Sequence, residues 1–428
     1  MFGWEFPPHI SGGLGTASFG LTRGMTTMDD IEVIFVVPKA WGDEDQSVVR
    51  LIGANKVPVA YKKIHYQGSS VPIEKIEVTS KIVPYTDPED FWKLTRSEVA
   101  SYRMLIQTND QGKIDFSGKY DQNLLDEIYK YSVVASVIAQ ENDFDIIHAH
   151  DWLAYPAGIA AMEVSGKPLV IHVHATDFDR SGGNVNPDVY WIEKRGMDAA
   201  SKIITVSNLT RDIVINRYNI DPAKVETVYN AVEPVTMSED IQVKKGFDEK
   251  VVTFLGRITM QKGPEYFIEA AYKVLQVMKN VRFVMAGSGD MMERMMRRAA
   301  ALKITDRFHF TGFLRGKDVF TMLTMSDVYI MPSVSEPFGI SPLEAMQSNV
   351  PVIISKQSGV AEILTHAVKV DFWDIDAMAD AIYGILNYPA LAKMFIKNGK
   401  EEVVRLKWDN SARHVRDIYY RVLAQNKN

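Results

Sequence analysis

The chain has 428 residues, 46% of them apolar and 24% charged, with a net charge of −6 and no cysteine. That length exceeds what one hydrophobic core usually holds and predicts two domains of about 200 residues each, in an ordinary globular rather than disordered or fibrous protein. The composition excludes disulfides, thiolate catalysis and Cys-zinc sites, its acidic balance argues against a nucleic-acid partner, and no apolar run reaches the length of a membrane span.

In chain order, the first element is confined to Met1–Phe6, because Pro7 and Pro8 cannot continue a central strand. A strand so short inside a parallel sheet should leave backbone groups on its neighbours unpaired, so the natural start is expected a few codons upstream. The stretch "HISGGLGTASFG", His9 to Gly20, follows at once. Its Gly12 and Gly13 lack a Cβ and tolerate positive φ, which lets backbone come unusually close to a ligand.

Short β-branched runs then alternate with longer segments of helical period. The runs are Ile31–Val37, Asp145–His150, Pro168–His174, Lys202–Ser207 and Val225–Asn230, then Val251–Gly256, Val281–Gly287, Arg307–Gly312, Asp327–Pro332 and Pro351–Ser355. Strands apolar on both faces and separated by helices predict parallel sheets covered on both sides. Between the two sets, Glu233–Lys250 is polar and aperiodic, as a linker would be. The expected architecture is α/β: two Rossmann-like, doubly wound domains facing across a cleft. Residues 1–235 and 236–405 form the two domains, and a C-terminal helix, 406–428, packs back on the first. Nothing at the amino terminus has the form of a secretory leader, so a cytoplasmic location is expected.

Three constellations carry chemistry. Arg257 and Lys262 lie in "GRITMQKG", a loop that begins where a strand ends, and two cations there suit a diphosphate. "SEPFGISPLEAM" opens a helix near Gly339, so the N–H groups of Gly339, Ile340 and Ser341 are expected to face an anion. In the same stretch, the stiff Pro-Phe-Gly turn should aim the Glu336 carboxylate into the cleft at sugar hydroxyls, with Glu344 reaching a ribose diol. "HAHDW" (148–152) and "HVHATDFDRSGG" (172–183) each end a strand, and alternation puts both histidines of a pair on one face. Such pairs suit structural packing or a metal, but no clear third and fourth ligand accompanies them. No metal site or cofactor is expected.

"GGLG", "HAHDW", "HVHATDFDRSGG", "YNAVE", "GRITMQKG" and the Glu336/Glu344 pair, in this order across almost the whole chain, resemble the retaining glycosyltransferases of GT-B fold, in particular the glycogen/starch synthase group. The resemblance implies hexosyl transfer, with glucose the expected sugar, from a nucleoside-diphosphate sugar to a glucan or other carbohydrate acceptor, with UDP-glucose and ADP-glucose as candidate donors. It implies that Arg257 and Lys262 hold the diphosphate, Glu336 contacts the donor sugar, Glu344 the ribose and Ser341 the distal phosphate. His174 falls near the reacting centre, and Gly12 and Gly13 approach the diphosphate from the other domain. His150, Asp151 and Asn230 belong to the matching motifs and are expected in the cleft or on the acceptor side. Many glycogen synthases carry a lysine where this chain has Ile10, which counts against an ADP-glucose-specific synthase. Two other classes fit parts of the pattern: a sugar-nucleotide epimerase of the same fold, and a metal-dependent hydrolase built on the His-x-His pairs.

Overall fold

The computed structural model describes residues 1–9, 12–44, 46, 49–59, 63–66, 69–72, 108–120, 123–234 and 245–426, the two short segments 63–66 and 69–72 as backbone. Ile10 and most of the expected linker lie outside the described residues.

The chain builds two parallel sheets. The first contains β1 (Ile34–Val37), β2 (Arg50–Gly53), β5 (Ile147–His150), β6 (Leu169–Val173), β7 (Lys202–Thr205) and β8 (Val225–Thr227); β3 (Lys63–Tyr66) and β4 (Ser69–Pro72) form a separate antiparallel pair. Met1–Gly3 fills the gap between β1 and β5. Phe2 bridges both Val36 and Ala149 in parallel. Its N–H donates to His148 O at 2.8 Å and its carbonyl accepts from His150 N at 2.9 Å. On the other side Val36 N donates to Met1 O at 2.8 Å and Gly3 N to Val36 O at 2.9 Å. His148 O, His150 N, Val36 N and Val36 O are thus all paired, because each side of the strand bonds through alternate backbone groups. Numbered from Met1–Gly3, the spatial order is 3-2-1-4-5-6-7.

The second sheet runs β11-β10-β9-β12-β13-β14, with β9 (Lys250–Leu255), β10 (Val281–Ala286), β11 (Phe308–Gly312), β12 (Val328–Met331), β13 (Val352–Ser355) and β14 (Val368–Val370). This is the doubly wound order 3-2-1-4-5-6, in which ligands bind outside the carboxyl ends of the strands where the order reverses. In the first sheet the reversal lies between Met1–Gly3 and β5, in the second between β9 and β12.

Helices cover both sheets. Leu124–Glu141 and Tyr155–Ser165 pack on one face of the first, and Gly13–Met25 with Trp408–Gln425 on the other. The last helix is amphipathic, burying Trp408, Ala412, Val415, Ile418, Tyr419 and Val422. A Cβ on Gly20 would lie 2.3 Å from the Trp408 indole, so the close crossing depends on glycine. The methionine-rich helix Met292–Ala301 buries Met295 at 1% exposure but leaves Met296 at 43%, so one face only meets the sheet.

The second reversal point is held by a backbone crossing. Gly263 adopts φ +66°, and a Cβ there would lie 2.0 Å from Pro332 O. Gly263→Ala is expected to destabilise the second domain by about 3 kcal/mol or more, since it combines a left-handed backbone with a clash against rigid main chain. A thermal melt within a degree of wild type refutes this.

Candidate active site

At the second reversal point, β9 ends and the 256–262 loop is stitched to the end of β10. Gly256 N donates to Ala286 O at 3.0 Å, Ile258 N to Ser288 O at 2.9 Å, and Met291 N to Ile258 O at 3.0 Å. Ile258 is fully buried and anchors the loop, so the flanking Arg257 and Lys262 are held at the strand edge. Arg257 is exposed and contacts Gln261 Oε1 at 3.3 Å. Lys262 reaches across to β12's loop and forms an ion pair with the Glu336 carboxylate, their side chains 21% and 8% exposed.

Glu336 is therefore not an open carboxylate aimed into the cleft. It accepts from Lys262 and, at 3.1 Å, from Ser333 Oγ. Its backbone is fixed by Glu336 N to Gln357 O and Gly359 N to Glu336 O, both 2.9 Å. The physical reason is desolvation: an acid this buried is strongly penalised unless a cation and a donor satisfy it.

The helix Ser341–Gln347 begins beside this pair, after Gly339 at φ +99°. Its first N–H groups have no acceptor within the helix. Ser341 Oγ accepts from the Tyr329 hydroxyl at 2.8 Å, which leaves its own hydrogen to donate elsewhere. Ile340 packs partly against both hydrophobic clusters beside it and fixes the approach. The Glu344 carboxylate has no hydrogen-bond partner among the described residues, and though the residue is only partly buried, desolvation pushes its carboxyl up to about 7.

At the first reversal point, Gly12 is extended (φ −176°) and precedes the helix Gly13–Met25. A Cβ on Gly12 or Gly13 would meet nothing within 4 Å. Neither positive φ nor packing against the protein demands glycine there, so space next to the turn is open. Asp151, at φ +63°, ends β5. Its carboxylate accepts from Arg180 at 3.0 Å, and Arg180 also reaches Glu193 at 3.1 Å. Burial pushes Glu193 up to about 7, with the Arg180 charge opposing it, and the Tyr218 hydroxyl donates to it. A shallow, open depression adjoins this network, lined by Asp177, Arg180, Asn184 and Asn186 among others.

His174 is partly exposed, and burial of its ring lowers it to about 4 while Asp151 pulls the other way. His150, expected in the cleft, is instead fully buried behind His174, because alternation along β5 turns it under the two covering helices. Asn230 is buried beyond the end of β8. The four histidines stack: neighbouring ring centroids are 4.3–5.4 Å apart with planes within 27° of parallel. His148, His150 and His172 each bring a nitrogen within 4.8 Å of the others. No carboxylate is grouped with these three buried nitrogens, so the cluster offers three imidazole ligands and no fourth side chain among the described residues.

The two reversal points meet. Ser335 Oγ, next to Glu336, donates to Asp179 Oδ1 at 2.5 Å, and Asp179 Oδ2 accepts from Thr176 N and Oγ1 at 2.8 Å. Farther along, the Glu362 carboxylate accepts from Asn208 N at 2.9 Å, Leu209 N at 2.7 Å and Tyr229 OH at 2.9 Å. Sequence reasoning missed Asp179, Ser335 and Glu362. Only Asp179 left a trace, the capping-box spacing of Thr176 and Asp179.

Two facing doubly wound sheets with cations, acids and a helix terminus at their reversal points define a nucleotide-type α/β protein. Comparison with known proteins narrows the class. Residues 237–402 match the glycosyl transferases group 1 family, and residues 118–235 match Glycosyltransferase Family 4. An uncharacterized glycosyltransferase of Methanocaldococcus jannaschii is 31% identical over 294 residues, covering 64% of this chain and 75% of that protein. The alpha-maltose-1-phosphate synthase of Mycolicibacterium smegmatis is 27% identical over 65% of this chain and 79% of that one. Among solved structures, sucrose-phosphate synthase from Thermosynechococcus elongatus superposes with a TM-score of 0.69 at 18% identity, covering 97% of this chain and 94% of that one. Anabaena HepE, solved with UDP and glucose, gives 0.58 at 18% identity over 67% and 80%. The chain belongs to the group 1 glycosyltransferases and has the GT-B fold. Among the described residues no helix is long and apolar enough to cross a membrane.

Proposed function

We propose that the protein is a retaining hexosyltransferase that moves a glucosyl unit from a nucleoside-diphosphate sugar to a glucan or another carbohydrate acceptor. The observation that carries this reading is the Lys262–Glu336 pair, set beside Ser341 and the unpartnered Glu344 where β9 and β12 diverge. An arriving diphosphate takes over Lys262, assisted by Arg257, the Ser341 hydroxyl and the N–H groups at 339–341. Glu336, released, accepts from hydroxyls of the donor sugar, and Glu344 from the ribose diol. Gly12 and Gly13 close over the phosphates from the first domain, and the acceptor enters beside Asp151, His174 and the depression at Arg180.

The bond from the anomeric carbon to the diphosphate breaks through an oxocarbenium-like transition state. Negative charge grows on the leaving oxygens, where Lys262 and Arg257 already stand. The acceptor oxygen bonds to the same face, and its proton passes to the departing diphosphate. The chain's own cations perform the neutralisation, so transfer proceeds without a metal. Relatives named alpha-maltose-1-phosphate synthase and glycogen synthase, and a structural neighbour solved with UDP and glucose, support glucose as the sugar.

The test is incubation with UDP-, ADP- and GDP-glucose plus maltooligosaccharides, with and without EDTA, following nucleotide release, product mass and anomeric configuration. One donor should give an α-linked product of one added hexose, unaffected by EDTA. An inverted product, a chelator-sensitive reaction, or epimerised donor with no extended acceptor overturns the reading.

A further inference from the structure

Burial lowers the pKa of all four stacked histidines, so each is a neutral ring with one N–H and one bare nitrogen. Which nitrogen carries the hydrogen follows from the partners. At the inner end, His148 Nδ1 lies 2.5 Å from the Tyr419 hydroxyl on the last helix. Tyr419 is buried with no other acceptor among the described residues, so it donates, and His148 keeps its hydrogen on Nε2. His150 Nε2 is wholly enclosed and has no hydrogen-bond partner, so a hydrogen placed on it would be a stranded donor. His150 then carries its hydrogen on Nδ1, which lies 3.0 Å from His174 Nε2.

We propose that His150 is a positioning residue for His174: its Nδ1–H donates to His174 Nε2 and confines the His174 hydrogen to Nδ1, making that ring a hydrogen-bond donor to an oxygen of the bound sugar nucleotide. This rests on the hexosyltransferase reading for its last clause only. The tautomer itself is a property of the unliganded protein. His174 Nδ1 is buried with no partner in the described structure, as a donor waiting for a ligand oxygen would be.

The experiment uses the full chain labelled with 15N-histidine, the His174 signals being assigned by their loss in His174→Asn. Long-range 15N–1H correlation should show a protonated, pyrrole-type Nδ1 and a bare, pyridine-type Nε2 for His174. The reverse pattern, or averaging of the two, overturns the proposal. Kinetics supply the second arm. His150→Leu keeps the volume but removes the donor, and should lower kcat roughly tenfold with donor KM within about twofold, as loss of one hydrogen bond felt in the transition state does. His150→Asn, which retains an N–H close to the Nδ1 position, should recover most of kcat. A purely packing role predicts the opposite ranking, because Asn leaves a cavity that Leu fills. Wild-type kcat in His150→Leu, or Asn no better than Leu, refutes the proposal. Should the wild-type protein transfer no sugar at all, the functional reading fails while the NMR result still decides the tautomer.

Discussion

Lys262→Ala is expected to lower kcat by roughly 30- to 800-fold, equivalent to about 2–4 kcal/mol, the size of one preorganised charge contact to a developing anion. The same change leaves Glu336 at 6% exposure with only Ser333 to satisfy it, so stability falls as well. The two effects separate in Lys262→Ala/Glu336→Gln. Removing the orphaned charge should recover most of the melting temperature and none of the turnover. Arg257→Ala should lose less, because its guanidinium is exposed and screened. A single mutant retaining a third or more of wild-type turnover removes Lys262 from the chemistry.

Glu344→Gln is expected to make the protein more stable and its nucleotide binding weaker. Burial raises the Glu344 carboxyl from 4.5 to about 7, so the folded state holds a proton more tightly than the unfolded chain. Below about pH 4.5 the group is neutral in both states and costs nothing. As pH rises through 7 the folded state must carry the poorly solvated charge, and because the residue keeps some contact with water the accumulated penalty is at most about 3 kcal/mol. The glutamine should therefore raise the melting temperature by several degrees at pH 8 and scarcely at all at pH 4.5. It should also weaken nucleoside-diphosphate affinity at least tenfold, since a neutral amide replaces the carboxylate proposed to accept from the ribose diol. Stability measured against pH, alongside calorimetric titration with nucleotide, checks both halves. Equal melting temperatures at pH 8 contradict the desolvated, unpartnered carboxylate, and unchanged affinity contradicts its proposed role.

Much of the architecture was legible because ten apolar β-branched runs each become a strand, and their polar boundaries mark the carboxyl ends where loops carry the site. β2 and β14 were not, since "RLIG" and "VKV" are too short and too polar for periodicity to register. In the site, the candidates on the loops after β9 and β12 come together as spacing suggested, but the Lys262–Glu336 pairing did not show. An ion pair across 74 residues leaves no local signature. His150 misled for a different reason. Alternation placed it on the same face as His148 correctly, yet which face the helices cover depends on Tyr419, 269 residues farther along.

The helix Trp408–Gln425, lying against Gly13–Met25, also sets an order of events during synthesis. The first sheet is complete in sequence at Thr227, but the helix that seals one of its faces emerges roughly 180 residues later, a delay of about 10–40 s at ordinary elongation rates. Throughout that interval the nascent first domain presents Leu21, Phe35, Val170 and Ile204 to water along with the histidine stack. A chain that ends before residue 408 is accordingly expected to leave this apolar face open and to aggregate.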